Sequence, residues 1–185
     1  MPSPSGNRVR IIGGAWRRRI VRFPAVPGLR PTPDRVRETL FNWLGQELTG
    51  RRCLELYAGT GVLSLEALSR GAALAVAVDR SRMLCESLRA TALALGARNL
   101  EAHCADAMAY LSAERRAFDV IFLDPPFRDD PWPRLLPAAA GHLAPGGFLY
   151  AEAGHALDPP PSLLAWRSDK AGQVHYHLFR LGSEP

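Results

Sequence analysis

The sequence predicts an α/β protein. Its core is a mostly parallel, doubly wound, seven-stranded sheet with an antiparallel C-terminal strand, and a small N-terminal β-hairpin and helix precede it. Three features carry that prediction. Short, continuously apolar runs such as Leu74–Val78 and Phe118–Leu123 read as strands buried on both faces. They alternate with longer segments whose apolar residues recur at helical spacing. Near the end, Leu164–Ser168 and Val174–Leu181 are joined close to Ala171-Gly172, too short a connection for anything but an antiparallel pair.

Each element follows from local chemistry. Residues 1–7 are rich in Pro, Ser and Gly, which predicts disorder. Val9–Ile12 and Arg19–Phe23 form a hairpin around Gly13–Arg18, and Pro24–Pro33, with four prolines and a glycine, is a loop. A helix runs from Asp34 to Leu48, with Val36, Leu40, Phe41, Leu44 and Leu48 on one face and Gly50 as its stop. Strands follow at Cys53–Tyr57, Leu74–Val78, Asn99–Cys104, Phe118–Leu123 and Phe148–Glu152. Helices fill the gaps at Gly61–Ser69, Ser81–Leu95, from Ala107, and Pro131–His142, the last broken by Gly146-Gly147.

The chain of 185 residues can bury a core without metal or disulfide staples. Its three cysteines, Cys53, Cys85 and Cys104, show no Cys-x-x-Cys spacing, which disfavours structural zinc and fits a reducing cytoplasm. No run of 18 apolar residues is present, which excludes a membrane-spanning helix, and the N-terminus lacks an apolar signal core. The net charge of +5 is unevenly placed. Residues 1–50 hold nine arginines and three acids, whereas the remainder is close to neutral. That asymmetry points to an anionic partner at the N-terminal end, nucleic acid first, or to a solvated basic face.

In doubly wound sheets ligands bind at the carboxyl ends of the strands. Four such segments carry chemistry. Glu55-Leu-Tyr57-Ala58-Gly59-Thr60-Gly61 is a glycine turn between strand and helix, but Ser64 stands where a dinucleotide fingerprint needs its third glycine. Asp79 ends the next strand, where a carboxylate can accept from ribose hydroxyls or cap the following helix. Asp106, before Ala107, can accept from an adenine amine or cap its own helix. Asp124-Pro125-Pro126-Phe127 is the sharpest signal. The prolines remove two N–H donors and leave a carboxylate and carbonyls beside an aromatic ring. That cradle suits a planar ligand bearing an NH2 group.

These residues resemble class I, Rossmann-like S-adenosylmethionine-dependent methyltransferases that act on exocyclic amines of bases. The closer likeness is to the bacterial 16S rRNA guanine-N2 methyltransferases, the D type among the small-subunit rRNA methyltransferases. It rests on Ile12–Arg17, Leu29–Asn42, Ala58–Gly61, Leu65–Gly71 and Phe122–Phe127, and it covers about Arg8 to Tyr150. The resemblance implies that Glu55, Gly59 and Gly61 hold the methionine end of S-adenosylmethionine, Asp79 the ribose, and Asp106 with Ala107 the adenine. Thr32 sits by the cofactor carboxylate. Asp124 and the Pro125 carbonyl grip the guanine N2 amine, and Phe127 stacks on the base. Arg10, Trp16, Arg17, Arg19, Arg30 and Arg35 face the RNA. Residues 1–33 form a basic docking hairpin and loop, and 34–185 the methyltransferase domain. The implied enzyme is a cytoplasmic monomer without metal, acting on 16S rRNA in an assembling or assembled small subunit. Two positions depart from the family pattern: Thr91 replaces a common Asn, and Arg18 replaces a usual glycine.

Two other readings use the same residues. An adenine-N6 methyltransferase on DNA or RNA needs the same cradle, and an RNA-binding module with a decayed cofactor site needs only the fold. The intact acids and glycines disfavour the second. A metal role for His175 and His177 is disfavoured because a lone His-x-His on a late strand more often packs.

Overall fold

The computed structural model describes residues 7–182. Asn7 already belongs to the first strand, so only residues 1–6 of the stretch expected to be disordered lie outside the described residues.

The seven-stranded sheet is built from β3 (Arg52–Leu56), β4 (Leu74–Asp79), β5 (Leu100–Cys104), β6 (Phe118–Leu123), β7 (Leu143–Ala153), β8 (Leu163–Ala171) and β9 (Val174–Leu181). Their order across the sheet is β5-β4-β3-β6-β7-β9-β8. All neighbours from β5 to β7 are parallel, and β9 runs antiparallel between β7 and β8. The chain steps outward from β3 in one direction and from β6 in the other, so the switch in strand order lies between β3 and β6. Ligand crevices open at such a point.

Alternation along the strands divides the core into two layers. Cys53, Ala75, Ala77, Val120, Phe122 and Tyr150 face one side, where they meet Leu40, Phe41, Leu63 and Leu88 of α1 (Asp34–Leu44), α2 (Val62–Ser69) and α3 (Arg82–Leu95). Leu54, Val76, Ile121, Leu123 and Leu149 face the other, covered by Leu111 of α4 (Ala107–Ala113) and Leu135 of α5 (Trp132–Ala140). Helices on both faces explain why these strands read as continuous apolar runs. Every residue of α2 is buried, because the N-terminal segment covers the face it turns away from the sheet.

Several boundaries differ from the sequence expectation: the first strand spans Asn7–Arg10 instead of Val9–Ile12, β7 begins at Leu143 instead of Phe148, β8 extends to Ala171, and two helix ends move for a plain physical reason. Helix α1 ends at Leu44, one turn before Leu48, because Gly45 adopts a left-handed φ of 97° and donates back to the carbonyls of Phe41 and Asn42. Leu48 is still fully buried, but as part of the connection. Helix α5 ends before Gly141, so Gly146-Gly147 breaks no helix. It lies within β7, where the pairing with β6 shifts register, and a Cβ on Gly147 would sit 2.8 Å from the Ala144 carbonyl.

The hairpin of β1 (Asn7–Arg10) and β2 (Ile20–Phe23) pairs Arg10 with Ile20, and its long turn is clamped to the end of α2. Ala15 N–H donates to the Ser69 carbonyl (2.7 Å), Trp16 N–H donates to Ser69 Oγ (2.9 Å), and that hydroxyl donates to the Gly13 carbonyl (2.6 Å). A Cβ on Gly14 would lie 1.8 Å from the Ser69 carbonyl oxygen, so glycine is obligatory there. Arg18 has a φ of 72°, a region glycine enters freely and other residues rarely. The glycine that the resemblance implied at this position would have a conformational reason, and this chain carries an arginine there.

Beneath the hairpin lies a buried ion network. Arg37, fully buried, donates to Glu66 Oε1 (2.6 Å), Asp34 Oδ1 (2.5 Å), the Arg10 carbonyl (2.8 Å) and the Thr32 carbonyl (3.0 Å). Glu66 also accepts from Ile12 N–H (2.6 Å) and pairs through Oε2 with Arg70 at 3.4 Å. Burial still pushes the Glu66 carboxyl above its ordinary value, against the pull of both guanidiniums. One carboxylate thereby joins hairpin, α1 and α2.

Candidate active site

The glycine turn after β3 is held open by three left-handed residues, Tyr57 (φ 58°), Gly59 (55°) and Gly61 (70°). A Cβ on Gly61 would stand 2.5 Å from Leu88 Cδ2, and one on Gly59 would stand 2.8 Å from Leu29 Cδ1. The turn is therefore packed from below by α3 and covered from above by the proline-rich loop. Tyr57 bears the strain of a side chain in the left-handed region, a feature that gathers at ligand sites.

Glu55 is buried beneath this turn. Its Oε2 accepts from both the N–H (2.8 Å) and the hydroxyl (2.6 Å) of Ser64, and desolvation pushes its carboxyl up to about 7 despite those donors. Ser64, which marked only a missing glycine in the sequence, is thus the anchor of Glu55 in the first turn of α2.

Asp79 does not cap α3. Ser81 does, accepting from Leu84 N–H at 3.4 Å. The Asp79 carboxylate instead accepts from Gly59 N–H (2.8 Å) through one oxygen and Ser81 N–H (2.8 Å) through the other, tying the glycine turn to the start of α3. A carboxylate offers about four lone-pair directions, so acceptor capacity remains. Asp106 does cap its helix, through Oδ1 and Ala109 N–H at 2.9 Å. The residue is exposed, and Ala107 beside it is buried.

After β6, Asp124 is partly buried, and among the described residues no hydrogen bond holds its carboxylate. Desolvation first, then the charges of Glu152 and Glu55, push its carboxyl well above the ordinary value. Pro125 is buried and Pro126 exposed. Phe127, 45% exposed, opens a one-turn 3-10 helix (Phe127–Asp129) and rests one edge on Gly154, whose added Cβ would meet the ring at 3.3 Å. The ring is thus supported on one side and open on the other.

One acid was missed by sequence reasoning. Glu152, near the end of β7, is 4% exposed. Its Oε1 accepts from Thr32 Oγ1 (2.8 Å) and from the Tyr150 hydroxyl (3.0 Å), and burial raises its carboxyl above the usual range. Its only signal in the sequence is an acid closing an apolar strand, the same pattern as Glu55. Through Glu152, Thr32 carries the N-terminal loop across to β7.

The arginines proposed to face RNA are exposed but not gathered in one place. Arg10, ion-paired with Asp34 (2.7 Å), shares a groove of about 570 Å³ with Thr32 and Pro33. Arg17 lines a separate groove of about 660 Å³ with Glu38, Asn42 and Arg70. Arg19, Arg30 and Arg35 lie outside both grooves, and Trp16 packs partly into the core. Neither groove includes Asp124. On β9, His177 Nε2 accepts from Leu157 N–H (3.3 Å) and the ring stacks on Phe179, while burial lowers its proton affinity.

This geometry can be set beside known proteins. The family profile described as "Conserved hypothetical protein 95" matches residues 9–180. The chain is 39% identical to the Ribosomal RNA small subunit methyltransferase D of Escherichia coli, over 97% of this chain and 93% of that protein. The chain belongs to this methyltransferase family. A solved Escherichia coli structure assigned as a methyltransferase, yhhF, superposes on it with a TM-score of 0.87 at 37% identity, covering 96% of this chain and all of that one. A solved methyltransferase structure complexed with SAH, SMU.776, has a TM-score of 0.70, covering 86% of this chain and 52% of that one. At 16% identity it shares the fold alone. In the family to which the chain belongs, the fold is that of S-adenosylmethionine-dependent methyltransferases and the work is methyl transfer. Among the described residues no helix is long and apolar enough to cross a membrane.

Proposed function

We propose that this chain transfers a methyl group from S-adenosylmethionine to the exocyclic N2 amine of a guanine in 16S rRNA, within an assembling or assembled small subunit. The observation that carries the reading is Asp124. It is a partly buried carboxylate without a hydrogen-bond donor among the described residues, at the switch in strand order, followed directly by Pro125, Pro126 and the exposed ring of Phe127.

The residues fit the cofactor. The left-handed glycines let the turn bend tightly at the end of β3 against Leu29 and Leu88, and Asp79 keeps lone pairs for a diol beside it. Bound S-adenosylmethionine supplies a methyl group already activated by its sulfonium. Asp124 and the Pro125 carbonyl then accept from the two N–H groups of the amine, which localises its lone pair and aims it along the transfer axis. Phe127 holds the base plane. Holding the partners in line contributes the most, since well-oriented reactions gain roughly 7–11 kcal/mol. A base paired in a duplex must first be flipped, whereas a loop base enters directly. Adenine N6 is the alternative amine. The Arg30–Asn42 block, which resembles the rRNA family, favours guanine. Incubating the protein with labelled cofactor and naked 16S rRNA, an assembly intermediate or finished subunits, then mapping the modified nucleotide, tests the reading. Modification of adenine alone would overturn it.

Two further outcomes follow from the assigned roles. Asp79→Ala loses charge-assisted bonds to ribose worth about 1.5–3 kcal/mol, so cofactor affinity falls roughly 10- to 150-fold by calorimetry. The loss of the Gly59 tether acts in the same direction. Residues 1–33, with their exposed arginines, are assigned to RNA docking. Replacing Arg17 and Arg19 together with alanine weakens RNA binding and reduces the log–log salt slope by about 0.7–0.9 per lost phosphate contact, with cofactor affinity unchanged. Affinities measured at several salt concentrations decide it, and an unchanged slope would remove these arginines from the interface.

A further inference from the structure

Glu55, Asp124 and Glu152 stand at the carboxyl ends of three neighbouring strands, β3, β6 and β7. Leu123 pairs with Ala151, so the chain direction brings Asp124 and Glu152 out side by side. Among the described residues no arginine or lysine offsets any of the three carboxylates. Buried acids are ordinarily paired with a cation, because a lone carboxylate in a poorly solvated place is costly. Among the described residues no three acidic, histidine or cysteine side chains converge as metal ligands would. The acids stand instead at the ends of three neighbouring strands.

The three are not equivalent. Glu55 spends one oxygen on both donors of Ser64. Asp124 is assigned to the base amine. Glu152 receives both of its hydroxyl donors, from Thr32 and Tyr150, on the same oxygen, Oε1, and neither reaches Oε2. It therefore keeps a fixed position and, among the described residues, an oxygen without a donor, beside the reacting centre.

We propose that Glu152 is a specificity-determining residue that makes the site prefer the cationic sulfonium cofactor over its neutral thioether product. The inference rests on the S-adenosylmethionine reading above. In the transfer, the carbon–sulfur bond to the methyl group breaks, its electron pair stays on sulfur, and the amine lone pair forms the new carbon–nitrogen bond. The nitrogen then releases a proton to the Asp124 carboxylate that accepts from it, and from there to solvent. The positive charge leaves sulfur in that step, so attraction to Glu152 favours the cofactor before transfer and no longer holds the product after it.

Calorimetry with S-adenosylmethionine and S-adenosylhomocysteine, on the wild-type chain, Glu152→Gln and Glu152→Asp, tests this. Glutamine keeps the carbonyl acceptor for Thr32 and Tyr150 and removes only the charge. In Glu152→Gln the cofactor affinity falls roughly tenfold, the ratio set by about 1.4 kcal/mol, while product affinity stays within about twofold. Glu152→Asp, which keeps the charge, retains the wild-type preference. Equal weakening of both ligands in Glu152→Gln would make Glu152 a structural support only and overturn the proposal, as would no change in either. Loss of preference in the aspartate variant would also overturn it. A wild-type chain that bound neither ligand would instead remove the cofactor reading beneath it.

Discussion

Asp124→Ala loses methyl transfer by a factor on the order of 10² to 10⁴, the range spanned by a positioned proton-accepting group, while cofactor affinity stays within a few-fold. The separation follows from position. Asp124 is proposed to face the amine, whereas the adenosine is assigned to Asp79, Asp106 and the glycine turn. The variant also changes stability in an unusual direction. Asp124 is desolvated, lies beside two like charges and has no donor among the described residues, so the folded chain holds its carboxyl well above the ordinary 3.8. A raised carboxyl means that the folded state resists ionisation more than the unfolded state does. The cost is absent below the unfolded value and grows as pH rises through and beyond it. Asp124→Ala is therefore as stable as the wild type in strong acid and more stable near neutrality. Single-turnover transfer and thermal unfolding at pH 3 and pH 7 check both parts. Near-normal turnover would remove Asp124 from the reacting centre, and a lower melting temperature at pH 7 would contradict the uncompensated charge.

Arg37→Ala costs about 3–5 kcal/mol of folding free energy, the penalty for leaving one member of a buried ion pair without its partner. Glu66 would keep only Arg70, at 3.4 Å, and the Ile12 N–H. The same guanidinium holds the Thr32 and Arg10 carbonyls, so the variant also loosens the loop that crosses to Glu152. Denaturant unfolding measures the loss. Arg37→Met, paired with Glu66→Leu, should recover much of it, because an apolar replacement of a buried pair is often neutral. A loss below about 1 kcal/mol in Arg37→Ala would mean that water reaches the network.

The two experiments address different kinds of information. Apolar runs and helical periods in the sequence were enough to place the strands, because a strand covered on both faces must be apolar throughout and a flanking helix must be apolar on one face. Asp124-Pro125-Pro126-Phe127 was legible for a related reason: its chemistry is local, set by consecutive residues after a strand. The placement of Gly59, Gly61 and Asp79 at successive strand ends was legible through spacing along one strand–turn–helix–strand unit.

What tertiary structure alone decided depends on contacts between segments far apart in the chain. Gly45 and Gly50 are equally good stops for α1 by residue type. The chain stops at Gly45, and Leu48 is buried beyond the helix end, with its N–H donating to the Arg70 carbonyl. Asp79 and Asp106 carry the same local signal for a cap, yet only Asp106 caps. Asp79 is drawn to a backbone N–H twenty residues earlier in the chain. Glu152 shows the limit most plainly. In the sequence it is one acid in an apolar strand. Its partner Thr32 lies 120 residues away, and its neighbour Asp124 reaches it only because β6 and β7 pair in a particular register. Local periodicity reports which face of an element is buried. It carries no information about which distant carboxylate a buried acid will meet, and here that meeting sets the charge of the site.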